Sequence, residues 1–267
     1  MRSFILNVFV IFATLTAAIT LWILAKISTR KLMWKTLHIW AATLRWAVRV
    51  ILNAQVEVRG MQHYDPTRSQ LIVCKHQSEL DVIMIVDQFD DFSAVVMAEL
   101  RNYPFFGGVL DGLDLVQVKV DSGKQGRTLQ TIEGGKKTAE QGRAMVIYPE
   151  GELMKLGAKE RYKNGVGHLY QSMNVEVLPV AFSVGVIWPQ RQWTKNANKS
   201  GIMEVMEPIP PGLPFEEFMA LIEERIETKT MDLIRESASG EVLAAAERRF
   251  ANKENNTGPG VDAIAAK

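Results

Sequence analysis

The sequence predicts an α/β fold, a layered sheet flanked by helices and preceded by an amino-terminal membrane-anchoring helical segment. Two observations carry the sheet. Short apolar runs at residues 71–74, 144–148 and 175–182 have the length and composition of buried strands. Segments of helical character separate them, which is the alternation expected of α/β layering. A third observation carries the anchor. Residues 4–25 are uncharged and apolar over a length that can cross a hydrocarbon core as a helix. The expected organisation is an anchor and interfacial helix over residues 1–52, a main domain over 53–240, and the end of a carboxy-terminal helix with a flexible tail over 241–267.

Charge supports this division. Residues 1–60 hold eight basic side chains against Glu57 alone, a local charge of +7, which leaves −6 for the rest of a chain whose total is +1. The basic end is also the greasy end, so the natural partner is an anionic membrane surface rather than nucleic acid. No zinc-finger or RNA-binding signature is present. Cys74 is the only cysteine in the sequence and excludes an internal disulfide. After the anchor, Lys31, Lys35, His38, Arg45 and Arg49 follow one helical stripe, and Trp34, Leu37, Ala41, Leu44, Val48 and Ile51 follow another. Such a helix suits the headgroup region, with packing on the protein core as the alternative. Basic residues after the first segment place the rest of the chain on the cytoplasmic side of an inner or plasma membrane. A re-entrant or monotopic helix pair satisfies the same hydropathy.

Residues 55–58 alternate as a first strand, and 60–69, with Pro66, form a turn region. The strand at 71–74 leads to Ser78, where a helix begins and runs to about residue 87. A short strand follows at 94–97. Pro104 can open a helix, and the glycines after it permit close packing. A strand falls within 113–120. Residues 125–141 form a polar helix with Leu129 and Ile132 on its inner face. The strand at 144–148 runs into Pro149, Glu150 and Gly151. A strand around Pro179 is expected near a sheet edge or a ligand. A last strand covers 202–206, a helix covers 215–235, and residues 252–267 read as a disordered tail.

The chemistry centres on His76 and Asp81, which follow the strand at 71–74. Five residues along a continuous helix rotate by roughly 500°, so these side chains cannot meet on one straight helix. They meet if the strand ends near His76 and a helix starts at Ser78. Ser78 and Asp81 also have the spacing of a capping box, so a purely structural role stands beside the dyad. Cys74 shares a strand face with His76, which leaves a Cys–His pair conceivable beside an inert core thiol.

Four motifs in order resemble those of the glycerophospholipid acyltransferases, most of all the 1-acyl-sn-glycerol-3-phosphate (lysophosphatidate) acyltransferases. They are His76-x4-Asp81, Pro104-Phe105-Phe106-Gly107, Tyr148-Pro149-Glu150-Gly151 and Leu178-Pro179-Val180, within about residues 55–210. The resemblance implies transfer of an acyl group from acyl-CoA or acyl carrier protein, as co-substrate, to the sn-2 hydroxyl of a lysophospholipid. It implies His76 as general base, Asp81 as its orienting acid, and Pro149, Glu150, Gly151, Phe105, Phe106 and Gly107 in substrate binding. It implies no cofactor and no metal. The sequence departs from the family where threonine and arginine usually follow the glutamate–glycine pair; Glu152 and Leu153 stand there. Arg101, Lys119, Lys124, Lys159, Arg161 and Lys163 are the candidate phosphate cations. Lys163 is favoured, because Lys163-x-Gly165 matches the family's downstream lysine–glycine element. The departure also opens a lyso-lipid with another headgroup, such as a lyso-ornithine lipid, as acceptor. A thioesterase would release free fatty acid without any acceptor, and no Gly-x-Ser-x-Gly elbow supports a serine hydrolase. A non-catalytic lipid-binding protein would bind anionic membranes without turnover.

Overall fold

The computed structural model describes residues 1–27, 29–103 and 106–251, apart from the side chain of Lys124. The expected tail at 252–267, together with Pro104 and Phe105, lies outside the described residues. Seven strands form one sheet: β1 (Gln55–Arg59), β2 (Leu71–Cys74), β3 (Ser93–Met97), β4 (Val116–Val118), β5 (Met145–Ile147), β6 (Val177–Phe182) and β7 (Ser200–Val205), in the order β1-β7-β6-β2-β5-β3-β4. All neighbouring pairs are parallel except β6–β7. The central strands β2 and β6 are buried along their whole length, which explains why they read as unbroken apolar runs.

The helices are α1 (Arg2–Ile27), α2 (Arg30–Leu52), α3 (Glu79–Gln88), α4 (Phe106–Gly112), α5 (Gly123–Glu140), α6 (Gly165–Met173), α7 (Phe215–Ser237) and α8 (Gly240–Ala251). Most match the expected elements. Helix α6 was not anticipated, because its glycine-rich start after a basic stretch carries a weak helical signal. The inner face of α5 also differs from expectation. Leu129 is exposed, whereas Thr131, Gly135 and Thr138 are buried. Small residues win there because the helix packs tightly: a Cβ at Gly134 would come within 2.4 Å of Val116.

Pro179 is not at a sheet edge. It pairs with Val73 inside the sheet, and its carbonyl accepts a hydrogen bond from Met206 N at 2.9 Å. The β6–β7 ladder pairs Val180 with Val205, while Val177 bridges to Ile209. One extra residue therefore lies on the β7 side opposite Pro179. The missing proline N–H falls at that irregularity and leaves no partner stranded.

Helices α1 and α2 form an antiparallel hairpin against the domain. Met33, Trp34, Ala41, Leu44, Ala47, Val48 and Leu52 of α2 are buried in the main core together with α3 residues. The apolar face expected to lie among lipid headgroups is thus packed on protein. Part of the basic face is neutralised as well: Arg45 pairs with Asp87 at 2.9 Å, His38 with Asp90 at 3.3 Å and Arg30 with Asp91 at 3.1 Å. Both ends of α1 touch the domain. Asn7 Nδ2 donates to Trp193 O at 2.8 Å, Ser3 Oγ to Lys195 O at 3.1 Å, and Ala25 meets Gly108 of α4. The outward faces remain apolar, with Phe4, Phe12 and Leu15 of α1 and Ile39 and Trp46 of α2 exposed.

Candidate active site

The polypeptide turns sharply after β2, and that turn builds the dyad. Ser78 has extended backbone angles and caps α3, its Oγ accepting from Leu80 N at 3.0 Å. Asp81, in the first turn, reaches back so that Oδ2 accepts from Gln77 N at 2.5 Å and Ser78 N at 2.8 Å. The same oxygen lies 3.3 Å from His76 Nδ1. Capping box and dyad are one structure, because Asp81 serves the helix start and the imidazole with one carboxylate oxygen. That contact takes up Nδ1 and leaves Nε2 as the nitrogen free for chemistry.

Asp81 is fully buried and His76 partly so. Burial pushes the Asp81 carboxyl above its usual range, and His76 with the two backbone N–H groups pulls it back only in part. The His76 ring stacks on Tyr148, centroids 4.1 Å apart, and its carbonyl accepts from Met154 N at 2.8 Å. Orientation is therefore imposed from α3, from the end of β5 and from the loop after it. Ser78 Oγ donates to Trp188 O at 2.6 Å, tying the turn to a third segment. Ser78→Ala is expected to cost about 1 kcal/mol of stability through the lost cap. Chemical denaturation in detergent checks this, alongside a fall in activity as the 76–81 turn loosens.

Cys74 does not form a reactive pair with His76. Its side chain is buried, and burial holds the thiol well above its usual range, so it stays protonated as core.

The Pro149–Gly151 turn stands beside the dyad through Tyr148, but its glutamate points inward. Glu150 is buried, and Lys75 Nζ lies 2.8 Å from its Oε1. Glu150 therefore does not present its carboxylate at the surface as an acceptor ligand would need, because a buried lysine draws it in. Gly151, at φ +69°, is the exposed part of the turn. That left-handed backbone is what favours glycine, and the Lys163 ammonium lies directly over the turn, 2.4 Å from where a Cβ would fall. Lys163 N also donates to Pro149 O at 3.0 Å. Of the candidate phosphate cations, Lys163 is the one the structure brings to this turn.

Arg101, Phe106 and Gly107 form a separate group next to α4. The Arg101 guanidinium grips Asp111 at 2.5 and 2.9 Å and reaches Gln117 at 2.9 Å, so its charge is already answered. Phe106 is exposed. Lys159 lies over the Phe250 ring of α8, Lys119 and Arg161 are exposed, and the Lys124 side chain is outside the described residues. Among the described residues no cluster of His, Cys, Asp and Glu could hold a metal ion. An open groove of about 700 Å³ between β1, β7 and α7, lined by Arg59, Glu204, Arg225 and Lys229 among others, contains none of the expected site residues.

Lys75 and Glu227 escaped the reading of the sequence. Each left a trace: Lys75 is a charge continuing a fully buried strand, and Glu227 follows Ile226 on the inward side of α7. Neither trace identifies the partner.

Comparison with known proteins finds similarity to acyltransferases. A family model described as Acyltransferase matches residues 55–183. A 1-acyl-sn-glycerol-3-phosphate acyltransferase of Pseudomonas aeruginosa is 29% identical over 156 residues, 58% of this chain and 60% of that protein. The alpha form from Mus musculus is 24% identical over 136 residues, 51% of this chain and 47% of that protein. The match thus spans about half to three-fifths of the curated relatives' length. The crystal structure of the 1-acyl-sn-glycerophosphate (LPA) acyltransferase PlsC from Thermotoga maritima superposes with a TM-score of 0.72 at 20% identity, covering 90% of this chain and all of that one. At that identity the likeness concerns the fold.

Proposed function

We propose that the chain acts as a member of the Acyltransferase family, whose model matches residues 55–183, and that it moves a fatty acyl group from a thioester donor, acyl-CoA or acyl carrier protein, to the sn-2 hydroxyl of lysophosphatidate, giving phosphatidate. The observation that carries the mechanism is the His76–Asp81 contact, made by the turn between β2 and α3. An alcohol is a poor nucleophile near neutral pH. His76 Nε2 takes its proton as the oxygen attacks the thioester carbonyl, the C–O bond forms, and the C–S bond breaks to release thiolate. Asp81 keeps the proton on Nδ1 and stabilises the imidazolium, as the acid of a triad does. The substrate supplies the hydroxyl, so no serine nucleophile is needed.

Gly151 and Lys163 form the acceptor wall in this reading, with the Lys163 ammonium meeting the phosphate. Pro149 and Glu150 hold the turn, while Phe106 and Gly107 line the approach from the α4 side. The chain acts at a membrane, with the domain on the cytoplasmic side. Both ends of α1 are held by the domain, which suits a monotopic hairpin immersed by its outward apolar face more than a span with ends in different compartments.

A second reading rests on Glu152 and Leu153, which follow the turn where the family commonly has threonine and arginine. With one cation fewer, a lyso-lipid bearing another headgroup becomes an acceptor. Purified protein in mixed micelles, given labelled acyl-CoA and a panel of lyso-lipids, decides between them. Lysophosphatidate is expected to be acylated fastest, and preference for a zwitterionic or ornithine headgroup would support the second reading. Release of free fatty acid at the same rate without any acceptor would sink both.

A further inference from the structure

Lys75 stands immediately before the proposed base, yet the chemistry above gives it no part. Its side chain is wholly buried. Nζ lies 2.7 Å from Glu227 Oε1, 2.8 Å from Glu150 Oε1 and 2.9 Å from Ala158 O. Tyr162 OH donates to the same Glu227 oxygen at 3.0 Å. Lys75 thus joins three parts of the chain: the end of β2 that carries His76, the loop between β5 and α6 that carries Gly151 and Lys163, and helix α7. Glu227 lies beyond residues 55–183, the segment that the family model matches.

The charge balance is uneven. One ammonium faces two buried carboxyl groups, so ionisation of both leaves an excess negative charge sealed from water. Stability alone does not favour this arrangement. Glutamine at 227 would still accept from Lys75 and Tyr162, and it would leave Lys75 and Glu150 as a balanced pair. What the second carboxylate does is divide Lys75. Nζ, with three N–H groups, meets Glu227 Oε1, Glu150 Oε1 and Ala158 O, while Glu150 Oε2 has no hydrogen-bond partner among the described residues. Glu227 therefore controls how far Lys75 can draw in the 149–151 turn.

We propose that Lys75 and Glu227 are positioning residues for acyl transfer: Glu227, from α7, holds Lys75 where it sets the 149–151 turn, and with it the acceptor side of the site, against His76. This rests on the acyltransferase reading above.

The test is Glu227→Gln in the full chain, with thermal stability, kcat and separate KM values for acyl-CoA and lysophosphatidate. The expected result is a melting temperature equal to or above the parent's, a lysophosphatidate KM raised roughly tenfold by the displaced turn, and an unchanged acyl-CoA KM. A merely structural role predicts a different pattern: a lower melting temperature and a smaller active fraction, which lowers apparent kcat and leaves both KM values alone. That pattern, or parent-like kinetics, overturns the proposal. Should Glu227→Gln fail to fold, Glu227→Asp carries the same readout, since it keeps the charge on a shorter arm and shifts the same acceptor KM. His76→Ala measured alongside separates the two levels. Lost turnover there with a parent-like Glu227→Gln overturns the positioning role alone, and retained turnover there overturns the acyl-transfer reading itself.

Discussion

On the proposed mechanism His76→Ala is expected to lower acyl transfer by roughly 10²- to 10⁴-fold, the range for removal of a positioned general base. The same change disturbs the fold little. The imidazole is partly exposed, and its main packing is one stacked ring, Tyr148, a contact worth about 1 kcal/mol. Activity and stability should therefore separate, and turnover assays run beside thermal unfolding in the same micelles would show it. Asp81→Asn is the informative companion. An amide oxygen can still accept from the N–H groups of Gln77 and Ser78, so α3 keeps its cap, but the charge that steadies an imidazolium is gone. The expected outcome is a fall in kcat with α3 intact. Parent-like turnover in both variants would reduce the 76–81 turn to a helix cap.

Lys75→Met produces the largest expected loss of stability. It leaves Glu150 and Glu227 buried together with no cation between them, and breaking a buried ion pair from one side costs about 3–5 kcal/mol. The sign of the pH dependence follows from the shifts already present. In the parent, burial pushes Glu227 upward against the pull of Lys75, while Glu150 and Glu227 outweigh desolvation and hold Lys75 above its usual value. Lys75 thus stays charged through neutrality, and its contribution is lost only when pH rises through its raised value. Without Lys75 the pull that opposes burial is gone, and the Glu227 carboxyl in the folded state moves further up. A carboxyl raised on folding contributes stability below its unfolded pKa and loses it as pH climbs through the folded one. The variant is therefore most deficient above neutrality and recovers towards about pH 5 as Glu227 takes a proton. Urea titrations at the two pH values, parent beside variant, measure this, and a deficit that grows on acidification would refute the buried trio as drawn.

Local signals were enough for much of the molecule. Apolar runs without alternation marked β2 and β6 as strands covered on both faces, and the structure buries every residue of each. Ser78 and Asp81 announced the start of α3, and the geometry of a strand ending before that cap allowed His76 and Asp81 to approach. Other features belong to no single segment. Pro179 looked like an edge residue because a proline weakens a ladder, and only the bulge against β7 makes it harmless inside the sheet. Part of the basic stripe on α2 is not free for lipid, because Asp87 and Asp90 meet Arg45 and His38. Glu150 resembled an acceptor ligand, and the chain folds it inward onto Lys75.

The sequence by itself determined the sheet-and-helix alternation, the apolar hairpin's character and the dyad, because strand burial, helix caps and a five-residue spacing are written within a few consecutive positions. Tertiary structure decided which charges are spent. Whether Arg101, Lys75 or Lys163 is available depends on what lies within hydrogen-bond reach. The partner of Lys75 on α7 is 152 residues away along the chain, a contact that no local pattern encodes.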